Sequence, residues 1–248
     1  MTDGPRIIAI ETTSRRGGIA LAVGDQIVAS HTLAVDRDYA ADLLPAADAL
    51  CRQVGWRPDA VEQVFVSIGP GSFTGTRIGV TFAKTLALAA RAKVVAVPTF
   101  DALALNGLDL RPPPADLVVF MDARGGEVFA EMFRLSGESQ VYESVRPGQL
   151  VPLADLLSDA RHPVAFAGEG VAVHRKVLLE TGNLMLPQDL CICRVERVHQ
   201  VGRRLAQQGR FSEVDTLIPV YYRLPTPVER LATRERQKGA GENGPANC

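Results

Sequence analysis

The sequence predicts an α/β protein of two tandem lobes, each built around a mixed β-sheet, with the second lobe shorter than the first. Three observations indicate this fold class. Short apolar strands open the chain, a glycine-rich loop joins a later strand to a long helix, and the opening strand pattern starts again near the middle. Of the 248 residues, 46% are hydrophobic, which is enough apolar material for one large core or two smaller ones.

Three predicted strands open the first half. Arg6–Thr13 contains a short apolar run rich in isoleucine, and two further runs of strand composition, Gly18–Asp25 and Gln26–Val35, meet at a Gly-Asp turn. Such a series predicts a three-stranded meander. From Asp38 to Val54 the apolar residues recur at spacings of three or four, which predicts a helix, and Gly55 supplies its stop.

The rest of the first half alternates strands and helices. An apolar strand is predicted at Val64–Ile68, a long helix from Thr74 to Arg91, and another strand at Lys93–Thr99. Alternation of this kind is typical of parallel strands. We assign residues 1–110 to this first lobe.

The second half repeats the opening of the first. After the proline-rich loop Arg111–Asp116, the segment Leu117–Leu135 again contains an apolar strand, a turn with arginine and glycine, and an alternating strand. Asp122 ends the strand of this segment, where Glu11 ends the first strand of the chain. The similarity suggests a duplicated unit.

The remaining elements of the second half are fewer and shorter. They are a strand near Gln140–Val145, a helix at Pro152–Asp159, a strand at Val164–Ala167, and helices near Ala172–Leu179 and Val195–Gln207. We assign residues 111–225 to this shortened lobe. Residues 226–248, rich in charged residues and glycine, are predicted to be a disordered tail.

Two halves that each begin with a meander and continue with βα units are the pattern of the actin, Hsp70 and sugar-kinase fold. The sequence therefore predicts two actin-like, ribonuclease-H-like lobes with the second one truncated.

Charge and hydropathy exclude several classes of protein. The 27 Lys and Arg residues balance 28 Asp and Glu residues, so the basic excess typical of an independent nucleic-acid binder is missing. The N-terminus lacks the pattern of a signal peptide. The apolar stretch Ile78–Val97 is interrupted by Lys84, Arg91 and Lys93, so it is a poor membrane span. We expect a cytoplasmic protein that makes no membrane contact and reaches RNA only through a partner.

Neither cysteine nor histidine predicts a metal site. Cys191 and Cys193 form a C-x-C pair without the second pair that a zinc site needs, and a strand would bury both thiols on one face. The histidines show no i,i+4 pairing; they stand at His31, His162, His174 and His199. The remaining cysteines are Cys51 and Cys248.

A glycine-rich motif stands between the Val64–Ile68 strand and the long helix. Its residues are Gly69, Pro70, Gly71, Ser72, Phe73, Thr74 and Gly75. The spacing fits neither the P-loop nor G-x-G-x-x-G. Two interpretations stay open: an anion at the start of the helix, or a tight strand-to-helix turn with close packing.

Five segments that include this motif follow one another along the chain: Glu11–Thr13, Gly69–Ala87, Val94–Ala104, Asp122–Phe129 and Val220–Arg223. Their sequences and their order resemble the TsaB (YeaZ) family, over roughly Ile7 to Pro225.

The resemblance implies a scaffold subunit that is not itself an enzyme. Family members pair with TsaD, a catalytic paralogue of the same fold, and act with the ATPase TsaE. Together they place threonylcarbamoyl on the adenosine next to the anticodon of tRNAs that read ANN codons. In isolation a homodimer is expected. The implied partner interface draws on Leu43, Ala47, Leu50, Arg77, Thr81, Lys84 and Leu88.

The resemblance also implies that this copy lacks the catalytic metal. Thr99 and Leu103 stand where the paralogue carries two histidines, and their side chains cannot replace imidazole ligands. A nucleotide is not expected on the chain alone, although the resemblance leaves an adenine nucleotide open for the complex. Weak candidates for contacting it are Glu11, Thr12, Gly168 and Gly170.

Two other functions stay open alongside the scaffold. One is a metal-independent peptidase, although neither Ser67 nor Ser72 lies in a G-x-S-x-G elbow. The other is a small-molecule kinase of the same fold, in which Arg15 and Arg16 would crowd the phosphates. The role of Arg124, in the turn of the second meander, is left undecided between function and a solvated turn.

Overall fold

The computed structural model describes residues 4–33, 39–137, 141–159 and 164–221. Within them are two five-stranded mixed sheets. The predicted fold class is confirmed. The predicted tail at 226–248 and the family segment after Tyr221 lie outside the described residues, as does His162.

The first sheet has the strand order β3-β2-β1-β4-β5. Its strands are β1 (Arg6–Glu11), β2 (Gly18–Val23), β3 (Gln26–Thr32), β4 (Gln63–Ser67) and β5 (Lys93–Val97). The first three form the antiparallel meander, and β1, β4 and β5 run parallel. Three helices belong to this half: α1 (Tyr39–Gln53), α2 (Phe73–Ala90) and the short α3 (Thr99–Ala104), which the sequence analysis did not predict.

The second sheet repeats this order from the other edge, β10-β9-β6-β7-β8. Its strands are β6 (Asp116–Asp122), β7 (Glu127–Leu135), β8 (Tyr142–Pro152), β9 (Ala165–Ala167) and β10 (Leu184–Met185). β6 therefore corresponds to β1, as the similarity of the two meanders predicts. The helices are α4 (Leu153–Asp159), α5 (Gly170–Val173), α6 (Arg175–Thr181) and α7 (Val195–Gln207). The single helix predicted near Ala172–Leu179 is thus two short ones.

The first sheet is buried on both faces. Ile8 and Ile10 face a core shared with α1 and α2, while Ile7 and Ala9 face a core shared with α3, α7 and the second sheet. A sheet with helices on both sides needs continuous apolar strands, which explains the apolar run of β1.

The chain returns to the first lobe after the second sheet. Helix α7 packs across β1, β2, β4 and β5. Ser212 then bridges Val94 at the free edge of β5, and Leu217 is buried in the core beside α1 and α2. The lobe boundary between residues 110 and 111 stays a prediction, but the last described elements pack on the first sheet.

Cys191 and Cys193 are buried as expected, but in the turn before α7 and not in a strand. Among the described residues, no helix combines the length and apolar character that a membrane crossing requires.

Candidate functional site

The glycine motif brings the start of α2 against the end of β1. A Cβ on Gly75 would lie 2.0 Å from the Thr12 carbonyl oxygen, and a Cβ on Gly71 would lie 2.4 Å from that of Thr13. Gly79, one turn later, would meet the Thr12 hydroxyl at 2.2 Å. These glycines allow the helix to contact the strand end, which supports the close-packing interpretation of the motif.

The helix start is capped within the motif. Ser72 is the N-cap of α2, and its Oγ accepts a hydrogen bond from the Gly75 amide at 3.2 Å. The Thr76 hydroxyl donates to the Ser72 carbonyl at 2.7 Å. Part of the hydrogen-bonding capacity of the helix start is therefore already used by the chain itself.

Glu11 lies fully buried at the end of β1. Its Oε1 accepts hydrogen bonds from the Thr13 amide and hydroxyl, both at 2.6 Å, and from the Ser14 amide at 3.0 Å. The Cys193 thiol lies near this carboxylate, and burial together with Glu11 raises the pKa of Cys193 well above its ordinary value. This carboxylate is thus held by the strand end and organises the turn that follows it.

Thr99 ties the motif to the same turn. Its hydroxyl accepts a hydrogen bond from the Gly69 amide at 3.1 Å and donates to the Thr13 hydroxyl at 3.3 Å. Leu103, one turn further along α3, is 1% exposed in the core. In the described residues no three His, Cys, Asp or Glu side chains gather as a metal site would need.

The second lobe has a related arrangement at the end of β6. Gly168 has a φ of +97°, and a Cβ there would lie 2.3 Å from the Phe120 carbonyl oxygen. A Cβ on Gly170 would meet the Phe120 ring at 2.4 Å. Asp122, the counterpart of Glu11, is exposed, and its Oδ1 is 2.9 Å from His174 Nε2.

A cleft of about 690 Å³ separates these two strand ends. From the first lobe it is lined by the turn after β1 and the start of α2, and from the second by Asp122, Arg124 and Glu169. Burial raises the pKa of Glu169, whose Oε1 accepts a hydrogen bond from the Arg15 amide at 3.3 Å across the cleft. Of the predicted nucleotide contacts, Glu11 and Thr12 are buried beneath the cleft, and Gly168 and Gly170 are pressed against Phe120.

A second open surface lies between α1 and α2. It is an apolar groove of about 990 Å³ whose lining includes Leu44, Phe82 and Leu86. Leu44 is 65% exposed, and Leu88, further along α2, is 64% exposed. Large exposed apolar patches commonly mark surfaces that bind another protein.

The predicted interface residues divide between core and surface. Leu43, Ala47 and Leu50 are buried against the sheet, although Leu43 and Ala47 also line the groove. Arg77, Thr81 and Leu88 are exposed on α2, and Lys84 is half-buried.

The end of the described chain lies along α2. Lys84 Nζ donates to the carbonyls of Asp215 and Leu217, at 3.1 and 3.2 Å. Arg77 lies 4.0 Å from the centre of the Phe73 ring and donates to the Tyr221 hydroxyl at 2.9 Å. Phe73, Arg77 and Lys84 therefore hold residues 215–221 in place, which the sequence analysis did not foresee.

Two further residues of the cleft were missed. Tyr39 accepts a hydrogen bond from the Gly17 amide at 2.9 Å and donates to the Ser14 carbonyl at 2.8 Å, fixing the turn after β1. Glu169 stands between Gly168 and Gly170, the two glycines already singled out in the sequence, and this spacing could have identified it. The sequence around Tyr39 contains no pattern that predicts its contacts with Ser14 and Gly17.

Comparison with known proteins identifies the family. The family model "TsaD: tRNA N6-adenosine threonylcarbamoyltransferase" matches residues 27–218. The Bacillus subtilis tRNA threonylcarbamoyladenosine biosynthesis protein TsaB is 33% identical over 175 residues, which is 69% of this chain and 74% of that protein. The Escherichia coli protein of the same name is 23% identical over 232 residues, 93% of this chain and 100% of that protein.

Solved structures agree on the fold. YeaZ from Pseudomonas aeruginosa matches with a TM-score of 0.73 at 22% identity, covering 88% of this chain and 99% of that one. The chain belongs to the TsaB (YeaZ) family of tRNA threonylcarbamoyladenosine biosynthesis proteins.

Proposed function

We propose that the chain is a non-catalytic scaffold subunit in the synthesis of threonylcarbamoyladenosine in tRNA. It pairs with a TsaD-like catalytic paralogue and works with a TsaE-like ATPase. Their shared product is threonylcarbamoyl on the adenosine next to the anticodon of tRNAs that read ANN codons. The names of the relatives support this process.

The observation that carries the proposal is the open apolar groove between α1 and α2. Burying Leu44 and Leu88 against a partner would remove two highly exposed leucines from water, each worth about 1–2 kcal/mol at the usual free energy per apolar area. The docked partner is the helix pair of the catalytic paralogue. A second copy of this chain occupies the same face when the paralogue is missing.

The proposed non-catalytic role is supported by the side chains at Thr99 and Leu103. A threonine hydroxyl engaged with Gly69 and Thr13, and a leucine within the core, offer no ligands for a catalytic metal. The chain therefore contributes surface and leaves the transfer chemistry to its paralogue.

We further propose that the chain alone binds no cofactor. In its cleft, the start of α2 packs directly on Thr12 and Thr13, and the Gly75 amide is already bonded to the Ser72 side chain, so part of the helix start is occupied by the chain's own groups. An adenine nucleotide in the complex would then have to depend on the partner's residues.

The test is a reconstituted modification reaction. It contains tRNA, threonine, bicarbonate, ATP, the donor synthase, the TsaD-like transferase and the TsaE-like ATPase, with or without this chain. We expect threonylcarbamoyladenosine only when the chain is present and no product from the chain alone. Product formed equally well without the chain would contradict the proposal and reopen the peptidase and kinase alternatives.

A pair of variants tests the groove itself. Leu44→Glu places a charge on the exposed wall of the groove, and we expect loss of co-elution with the transferase and a tenfold or greater fall in product. Leu179→Glu is the matched control, because Leu179 is 59% exposed on a helix of the second lobe. Equal losses in both variants would show that the effect does not come from the groove.

A further inference from the structure

The turns of the two meanders open onto the same cleft. The turn between β1 and β2 carries Arg15 and Arg16, and the turn between β6 and β7 carries Arg124. Arg15 and Arg124 line the cleft from its two sides, and all three arginines are exposed. The duplication has thus placed guanidinium groups on both rims of one opening.

Arg124 adopts a backbone conformation that favours glycine. Its φ is +65°, and Gly125 and Gly126 beside it also have positive φ values. A left-handed conformation is unfavourable for a residue with a Cβ, because the Cβ comes too close to the following carbonyl oxygen. Glycine would serve the turn better, so the turn itself gives no reason for the arginine.

The carboxylates around the cleft already have partners. Asp122 pairs with His174, and Glu169 accepts a hydrogen bond from the Arg15 amide and also attracts the Arg15 guanidinium through space. None of the three arginine side chains forms a salt bridge with a carboxylate of the described residues. Two further exposed basic residues, Arg175 and Lys176, follow His174 directly in the sequence.

Guanidinium groups on two rims suit an extended anion better than a compact one. Gly71 and Gly75 pack against the carbonyl oxygens of Thr12 and Thr13, so the chain's own backbone occupies the side of the α2 start that faces β1. Arginine forks bind phosphate oxygens in bidentate fashion, and a phosphodiester chain offers one charge per nucleotide. A polyanion lying across the rims can contact both turns.

We propose that Arg15, Arg16 and Arg124 contact the phosphodiester backbone of the tRNA. The proposal rests on the function above and departs from the expectation, based on a net charge of -1, that RNA contact is only indirect. The contact is local, because the overall charge provides no long-range attraction. It positions the tRNA without reading its sequence.

Binding of fluorescently labelled tRNA to the full chain, followed by anisotropy at several salt concentrations, tests this proposal. We expect Arg15→Gln combined with Arg124→Gly to weaken binding three- to tenfold at low salt. The slope of log affinity against log salt should become shallower by roughly 0.7–0.9 for each phosphate that is no longer neutralised. Arg124→Gly also removes the backbone strain, so the folded state should be as stable as the wild type or more so.

The chain offers a matched control in Arg91. It too is an exposed arginine with positive φ, at +56°, but it ends α2 at the far side from the cleft, about 27 Å along an 18-residue helix. Arg91→Gly makes the same chemical change as Arg124→Gly alone, so these two single variants are compared directly, and we expect only Arg124→Gly to weaken tRNA binding. An equal loss in Arg91→Gly would overturn the proposal in favour of a general charge effect.

Three other outcomes would also overturn it. The first is unchanged tRNA affinity in the rim variant, which is Arg15→Gln combined with Arg124→Gly. The second is a wild-type chain that shows no salt-dependent tRNA binding even at the lowest salt. The third is full displacement of tRNA by tripolyphosphate at equal phosphate concentration. The last would assign the rim to a small anion. If the reconstituted reaction requires the chain but the rim variant binds tRNA as tightly as the wild type, the tRNA contact is wrong and the proposed function stands. If the reaction proceeds equally well without the chain while the wild-type chain still binds tRNA through these arginines, the proposed function is wrong.

Discussion

The first and second lobes share one strand order, but the parallel strands and helices of the second are shorter. In the first lobe, β4 and β5 each have five residues, and helices cover both faces of the sheet. In the second lobe the corresponding β9 and β10 have three and two residues. The 18-residue α2 is matched there by α5 and α6, of four and seven residues.

The difference shows where the second half of the chain contributes its packing. Helix α7 and residues 212–221 follow the second sheet in sequence but pack on the first. The second lobe keeps its meander, whose β6–β7 turn lines the cleft, while its parallel strands β9 and β10 are short. We infer that the first lobe carries most of the stability together with the proposed docking face, and that the second mainly supplies one wall of the cleft.

The largest effect is expected from a methyl group between α2 and β1. In Gly75→Ala the new Cβ would lie 2.0 Å from a backbone oxygen, which cannot move aside as a side-chain tip can. We expect a loss of about 3 kcal/mol or more in the free energy of unfolding, measured by urea denaturation.

The second lobe supplies the comparison for this substitution. In Gly170→Ala the clash is with the Phe120 ring at 2.4 Å, and we expect a smaller loss of about 1–3 kcal/mol. Gly137→Ala meets nothing within 4 Å and should change stability by less than about 0.5 kcal/mol. Equal losses at Gly75 and Gly170 would contradict the idea that the first lobe carries the stability.

The sequence was sufficient to predict the fold class, because apolar strands, turn glycines and the repeated meander are all local signals. It also placed α1 and α2 within two residues of their observed bounds. It missed α3, whose six residues are too short for a helical period, and the split between α5 and α6.

The candidate site was predictable only in part. Glu11 and Asp122 were recognised as equivalent, but the sequence could not show that one is buried and the other exposed. The anchoring of Tyr221 by Arg77 joins residues 144 positions apart, a separation that no local pattern reports.

The second prediction compares those two carboxylates directly. Glu11→Gln removes the charge that supports three hydrogen bonds in a buried turn, and we expect a loss of about 2 kcal/mol in unfolding free energy. Asp122→Asn affects a partly exposed pair with His174 and should cost less than about 0.5 kcal/mol. Thermal and urea unfolding of both variants measures the difference. Equal losses of unfolding free energy would mean that Glu11 and Asp122 stabilise their strand ends to the same extent.

The smallest expected effect concerns the attachment of α7 to the first sheet. His199, on α7, is 2% exposed and lies 3.0 Å through Nε2 from the Gly24 carbonyl in the β2–β3 turn. Burial lowers the pKa of His199, and Arg203 lowers it further, while the Gly24 carbonyl and Asp25 oppose the shift. The neutral imidazole is therefore the form that the folded chain prefers.

The direction of the pH dependence follows from that lowered pKa. In the unfolded chain the imidazole has its ordinary pKa of about 6.5, so below this pH the unfolded state binds a proton that the folded state excludes. The His199 contribution to stability is therefore complete above about pH 6.5 and is lost as the pH falls toward the lowered folded value. His199→Gln should lower the free energy of unfolding by about 1 kcal/mol at pH 7, because a buried hydrogen bond is lost, and this difference should shrink as the pH falls.

Urea denaturation at pH 7.5, 6.5 and 5.5 measures the difference. His31→Gln, on the exposed end of β3, is the control. A His199→Gln cost that stays constant across this range would show that α7 does not depend on a neutral histidine to hold the first sheet.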